Sequence, residues 1–159
     1  MIGQALATWD ISPSKLLLEI TETMMIEESW QVMDVLNRMR QLGLHLSIDD
    51  FGTGYSGMSY LQRLPVQEVK IDQMFVRQVA ESEKAREIIT SLIQLANRLK
   101  ISVIAEGVET AEILGIISSL GCRFAQGYFY SKAIALPEFI LWWQATQSAE
   151  AIQQVKPTS

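Results

Sequence analysis

Short apolar runs, each closing on a charged or amide side chain, alternate along this chain with longer stretches of helical periodicity. That alternation limits the folds open to it. Leu16-Leu-Leu-Glu-Ile-Thr21, Leu44 to Asp49, Glu68-Val-Lys-Ile-Asp72, Ser102-Val-Ile-Ala-Glu106 and Cys122 to Gln126 read as five strands. The first of them reads as a buried strand with one carboxylate set inside it. Apolar residues keep helical spacing from Ile26 to Leu42, with Gly43 where a C-cap glycine belongs. Ser82 caps an amphipathic helix whose apolar face runs from Ala85 to Leu99. Thr110 caps a helix that closes at Gly121, and Pro137 opens the last one. Met1 to Thr8 reads as helix turns, and Tyr55 to Arg63 as a short helix stopped by Pro65. Strands alternating with helices of this length indicate parallel βαβ units. The expectation is one α/β domain over residues 1–155, with 156–159 as a frayed end.

The chain has 159 residues, 48% of them hydrophobic, which is enough apolar material for one core. Its net charge of −5 argues against a nucleic-acid polymer or an anionic membrane as partner, since both need basic patches. No apolar run approaches the ~20 residues of a membrane span, and the N-terminus lacks a basic-then-apolar signal pattern. A cytoplasmic protein, or a cytoplasmic piece of one, is the expectation. The single cysteine, Cys122, rules out an internal disulfide and reads as a reduced, packed thiol. His45 reads as a structural histidine, with no second imidazole nearby to make it a ligand. Trp142 and Trp143 cannot both face one core from a single helix, so one of them marks a contact surface.

The chemistry centres on Leu46-Ser-Ile-Asp-Asp-Phe-Gly-Thr-Gly-Tyr-Ser56. Adjacent aspartates repel, and desolvating them is costly unless something neutralises them. At the end of an apolar run, a bound cation is one such partner; an exposed Asp-Asp turn capping a helix is the other reading. The glycines allow a loop to wrap closely around a ligand. The pattern then recurs: Glu19 lies on the first strand with Glu22 just beyond, Asp49 and Asp50 end the second, and Lys70 and Asp72 lie on the third. Glu106 ends the fourth, with Glu109 three residues on, and the fifth delivers Gln126.

All C-terminal ends of a parallel sheet lie on one side, so these groups converge on a common mouth. Singly, each has a bland alternative: Glu22 serving the following helix, Asp72 capping the next segment, Glu109 favoured beside a helix N-terminus. Oxygen-only ligands point to a hard cation, Mg²⁺ or Mn²⁺. Such a mouth with a lysine suits hydrolysis of a phosphate ester.

LEITE (18–22), IDDFGTGYS (48–56), LPVQEVKID (64–72), IAEGVET (104–110) and QGY (126–128) resemble the EAL family of bacterial cyclic di-GMP phosphodiesterases, in the family's order and with family-like spacing. The resemblance implies a TIM-like (β/α) barrel that uses Mg²⁺ or Mn²⁺ to open cyclic di-GMP to linear pGpG. It implies Glu19, Asp49 and Asp50 as metal carboxylates, Lys70 as the lysine at the attacking water, and Glu106 as a metal-centre glutamate considered for a general-base role. Glu22 matches the residue that steadies the glycine loop. Glu109 and Gln126 match positions nearer the substrate, and Asp72 is support within the KID motif.

Set against that family, the Glu-Ala-Leu signature and the metal-binding asparagine are absent. The expectation is a partial barrel of about five strands, its N-terminal strands missing, with little or no turnover alone. Gly57-Met58 and Ala133 are minor departures, standing where serine, leucine and proline are common. An open half-barrel leaves a strand edge and apolar surface bare, which predicts a homodimer or higher assembly. The alternative to an enzyme is a non-catalytic module that binds nucleotide or contacts other signalling proteins.

Overall fold

The computed structural model describes residues 2–22, 30–52 and 61–154, with side chains as far as Thr146. The elements run α1 (Ile2–Thr8), β1 (Leu17–Thr21), α2 (Trp30–Gln41), β2 (His45–Phe51), β3 (Glu68–Ile71), α3 (Gln73–Gln78), α4 (Glu83–Leu99), β4 (Ser102–Ala105), α5 (Ala111–Ser119), β5 (Phe124–Ala125) and α6 (Leu136–Gln154). The expected helix over 26–42 is present from Trp30; its first residues, and most of the expected short helix at 55–63, lie outside the described residues. Residues 1–129 and 130–159 form two compact units.

The five strands form one sheet in the order β1-β2-β3-β4-β5, every neighbouring pair parallel. Each strand therefore pairs with the one before it in sequence, and the order never reverses. A doubly wound sheet reverses at a switch point, whereas a (β/α) barrel does not. The architecture is α/β of the barrel type, with five strands where a complete barrel has eight.

Strand alternation sorts the side chains. Leu46, Ile48, Val69, Ile71, Val103 and Ala105 face the helices and are buried. They form one core cluster with Leu36 of α2, Val76 of α3, Ile89, Leu92 and Ile93 of α4 and Ile117 of α5. Burying each such aliphatic side chain contributes roughly 1.5–3 kcal/mol. The opposite face carries Glu19, Ser47, Asp49, Lys70 and Ile104, and so reads as polar with apolar interruptions. β1 is only half-buried, with Leu17 39% exposed, because it is an edge strand that packs through Leu18 and Ile20 alone. The sequence reading of a buried strand is corrected on that point.

Helix ends follow the expected chemistry. Ser82 accepts the Ala85 amide and Thr110 the Ile113 amide, each at 3.2 Å. α2 is followed by Gly43 at φ +87°. Cys122 is buried, and its thiol donates to the Phe124 carbonyl at 3.2 Å. β5 is shorter than expected, with only Phe124 and Ala125 in ladder register with β4. His45 is exposed rather than packed into the core. On α6, Trp142 is half-buried while Trp143 is 51% exposed, so the two do differ in environment. Among the described residues no helix is long and apolar enough to cross a membrane.

Candidate metal and phosphodiester site

Asp49 and Asp50 are adjacent on β2, and in a regular strand their side chains point to opposite faces. Here the register with β3 shifts between Ile48 and Phe51, and Asp50 takes a left-handed backbone at φ +55°. A bulge of this kind re-aims one side chain, and aspartate tolerates the left-handed region better than most residues. The result is that oxygens of Asp49, Asp50 and Glu106 lie within 4.8 Å of one another. Burial, the charge of Asp49 and a hydrogen bond with Asp72 together hold the Asp50 carboxyl above its ordinary pKa.

Lys70 rises from β3 into this cluster and is 6% exposed. Its ammonium lies 2.7 Å from Glu106 Oε1, 2.9 Å from Glu19 Oε1 and 3.1 Å from Asp49 Oδ1. Those three acceptors come from the end of β4, from β1 and from β2, so one side chain ties together four neighbouring strands. An ammonium has three N–H donors, and three carboxylates match that number. Burial pulls the lysine pKa down, but the bonds to Glu106, Glu19 and Asp49 outweigh it and hold the ammonium above its ordinary value of 10.5. Glu106 is raised, first by burial and further by Asp49 and Asp50, although Lys70 opposes this.

The remaining expected residues divide. Gln126 belongs to the cluster, donating from Nε2 to Glu106 Oε1 across 2.6 Å. Glu22 does not: it is 2% exposed, and its Oε2 accepts the Gly52 amide at 2.9 Å. It thus fixes the Gly52 backbone just past the end of β2. Glu109 pairs instead with Arg77 of α3 at 2.6 Å. Asp72 accepts the Met74 amide at 2.6 Å and caps α3. Sequence reasoning passed over Arg77, whose partner is 32 residues away with no local pattern to connect them. It also passed over Ser47, which pairs in register with Glu19, is wholly buried, and keeps a hydroxyl that finds no hydrogen-bond partner among the described residues.

The donors suit a hard divalent cation. Ligand oxygens at about 2.1 Å around an octahedral ion stand about 3 Å apart in cis and about 4.2 Å in trans. The oxygens of Asp49, Asp50 and Glu106, within 4.8 Å of one another, are spaced on the same scale. No imidazole or thiolate joins them among the described residues, which disfavours zinc or copper.

A sequentially wound parallel sheet with carboxylates and a lysine gathered at its strand ends defines a barrel-type α/β domain with an acidic mouth. Residues 2–133 match the EAL domain, and the chain belongs to that family. It is 42% identical over 136 residues to the cyclic di-GMP phosphodiesterase PA2567 of Pseudomonas aeruginosa, covering 86% of this chain and 23% of that relative. Among solved structures, it superposes on the MucR phosphodiesterase of Pseudomonas aeruginosa in its c-di-GMP complex with a TM-score of 0.81 at 34% identity. That match covers 86% of this chain and 55% of the other. BlrP1 of Klebsiella pneumoniae, in a manganese/cyclic di-GMP complex, gives a TM-score of 0.78 at 37% identity, covering 82% and 33%. The chain therefore spans about a quarter of the curated relative's length and between a third and just over half of these solved chains.

Proposed function

We propose that this chain carries the C-terminal part of a metal-dependent site that binds cyclic di-GMP and belongs to the machinery opening it to linear pGpG. The observation that carries the reading is the meeting of Glu19, Asp49 and Glu106, from three strands, around one buried lysine. Glu19, Asp49, Asp50 and Glu106 are the residues that would hold Mg²⁺ or Mn²⁺. When bound, such an ion polarises the phosphoryl group and makes water a stronger nucleophile. Lys70 orients that water through its ammonium and offsets negative charge as it builds. Gln126 fixes the Glu106 carboxylate by its 2.6 Å hydrogen bond. Glu22 holds the Gly52 backbone just after Asp50, and Glu109 pairs with Arg77 of α3.

The 159 residues by themselves bind nucleotide better than they turn it over, because five strands supply only part of a barrel mouth. The test incubates the purified chain with cyclic di-GMP and Mn²⁺, reading pGpG by chromatography and binding by calorimetry. The expected result is Mn²⁺-dependent binding, lost in Asp49→Asn, with little pGpG. Robust turnover would overturn the incomplete-site reading, and absence of binding would overturn the nucleotide reading.

Assembly belongs to the same proposal. Leu17 on the β1 edge is 39% exposed and Phe124 on the β5 edge 52% exposed, and among the described residues neither outer margin pairs with another strand. Such margins favour pairing with a second copy of the chain. Sedimentation finding a stable monomer at micromolar concentration would count against it.

A further inference from the structure

Three of the four carboxylates proposed to hold a divalent ion, Glu19, Asp49 and Glu106, are ones that Lys70 already holds. Its ammonium contacts Asp49 Oδ1 and Glu106 Oε1, and both residues belong to the trio whose oxygens lie within 4.8 Å of one another. To reach Glu19 on β1, the Lys70 side chain starts on β3 and must cross β2. The β2 residue in register with Glu19 is Ser47, whose small side chain is wholly buried. Strands lie about 4.8 Å apart, so reaching a residue two strands away takes nearly the full length of a lysine.

We infer that Lys70 is an intrinsic competitor of the divalent ion: it staples Glu19, Asp49 and Glu106 together in the ion's stead and must release at least part of that grip when an ion loads. The inference rests on the metal reading above and deepens it, since it assigns the lysine a positioning role toward the ligands separate from any contact with water. Three carboxylates converging on one point repel unless a cation stands between them. Lysine suits an exchangeable cation because its charge sits on a flexible four-carbon stem. A rigid bidentate arginine fork would be harder to displace.

The consequence is counter-intuitive for a site residue: removing it tightens ion binding. Taking away a unit positive charge a few ångströms from the ligands, in partly buried surroundings, strengthens Mn²⁺ binding by about tenfold or more. Removing it also leaves the carboxylates unopposed when no ion is present.

Two measurements on the full chain test this. In the first, Mn²⁺ dissociation constants from electron paramagnetic resonance and melting curves in EDTA are compared for wild type and Lys70→Met, which keeps the side-chain length. Lys70→Met is expected to bind Mn²⁺ about tenfold more tightly, to melt lower in EDTA, and to gain more from Mn²⁺ than wild type does. Adding Glu106→Gln to Lys70→Met is expected to restore part of the EDTA loss, which a packing role for the lysine stem would not produce. Equal or weaker Mn²⁺ binding by Lys70→Met overturns the competition while leaving the metal site standing. Failure of wild type and variant alike to bind Mn²⁺ overturns both readings.

The second measurement needs no variant. With lysine labelled at the side-chain nitrogen, wild type in EDTA is expected to show one ammonium resonance protected from exchange. That resonance should shift or lose protection as Mg²⁺ is added to saturation. A protected signal unmoved at saturating Mg²⁺ overturns the inference.

Discussion

Glu22 Oε2 accepts the backbone amide of Gly52 at 2.9 Å, so a carboxylate just past β1 fixes the point where β2 gives way to the glycine loop. The glutamate is 2% exposed, and a buried acceptor bound to a backbone donor is costly to delete. Glu22→Ala should therefore destabilise the chain by about 1–3 kcal/mol, because it strands the amide. Glu22→Gln keeps an acceptor and should lose less. Urea denaturation of both variants at neutral pH checks the order.

Gly52 itself allows no side chain. Its φ is +103°, and a Cβ there would stand 2.8 Å from Phe75 Cε2. Gly52→Ala combines left-handed strain with a clash, for a loss of about 1–3 kcal/mol. Adding Phe75→Leu should recover only the clash component, since the backbone strain remains. The two melting temperatures separate the contributions.

Asp49 touches both Lys70 and the proposed ion. Asp49→Asn should weaken Mn²⁺ binding by about tenfold or more through loss of one anionic ligand. Calorimetric titration with Mn²⁺ alone, without nucleotide, measures this directly. An unchanged affinity would remove Asp49 from the ligand set.

Stability in EDTA should depend on pH at two ends. Lys70 is held above 10.5 in the fold, so its contribution is fully present below that value and is lost as pH rises through the higher folded pKa. The loss should begin above pH 10.5 and be missing from Lys70→Met. Glu106 is raised from 4.5, so the folded chain binds more protons than the unfolded one. That carboxyl therefore favours folding most at or below its ordinary range, and its contribution declines as pH climbs through the raised value. Glu106→Gln should flatten the acid-side part of the curve. Melting curves across both ranges, wild type against each variant, give the two differences.

Much of the sheet was legible because strand ends announce themselves: an apolar run that closes on Asp49 or Glu106 can bury one end and expose the other. The helix caps at Ser82 and Thr110 were legible for the same local reason. What escaped depended on contacts without a local signature. Nothing in the letters says that Asp50 adopts a left-handed backbone, yet that bend turns two adjacent carboxylates toward one place. The pairing of Glu109 with Arg77 joins residues 32 apart, and spacing offers no way to foresee it. β1 reads as buried from its apolar letters, but its place at the sheet edge, which the partial barrel implies, leaves Leu17 exposed. Lys70 was recognised as a site residue, whereas its simultaneous hold on Glu19, Asp49 and Glu106 emerged only once the strands were laid side by side.

The unreversed strand order bears on how such a chain comes together. Each strand docks onto the one made just before it, so every ladder closes a loop of modest length and none has to wait for a distant partner. A ribosome releasing this polypeptide would deliver the layers in the sequence in which they stack. Lys70 emerges after Glu19 and Asp49 but before Glu106, so the clasp closes in stages, last of all when the fourth strand arrives.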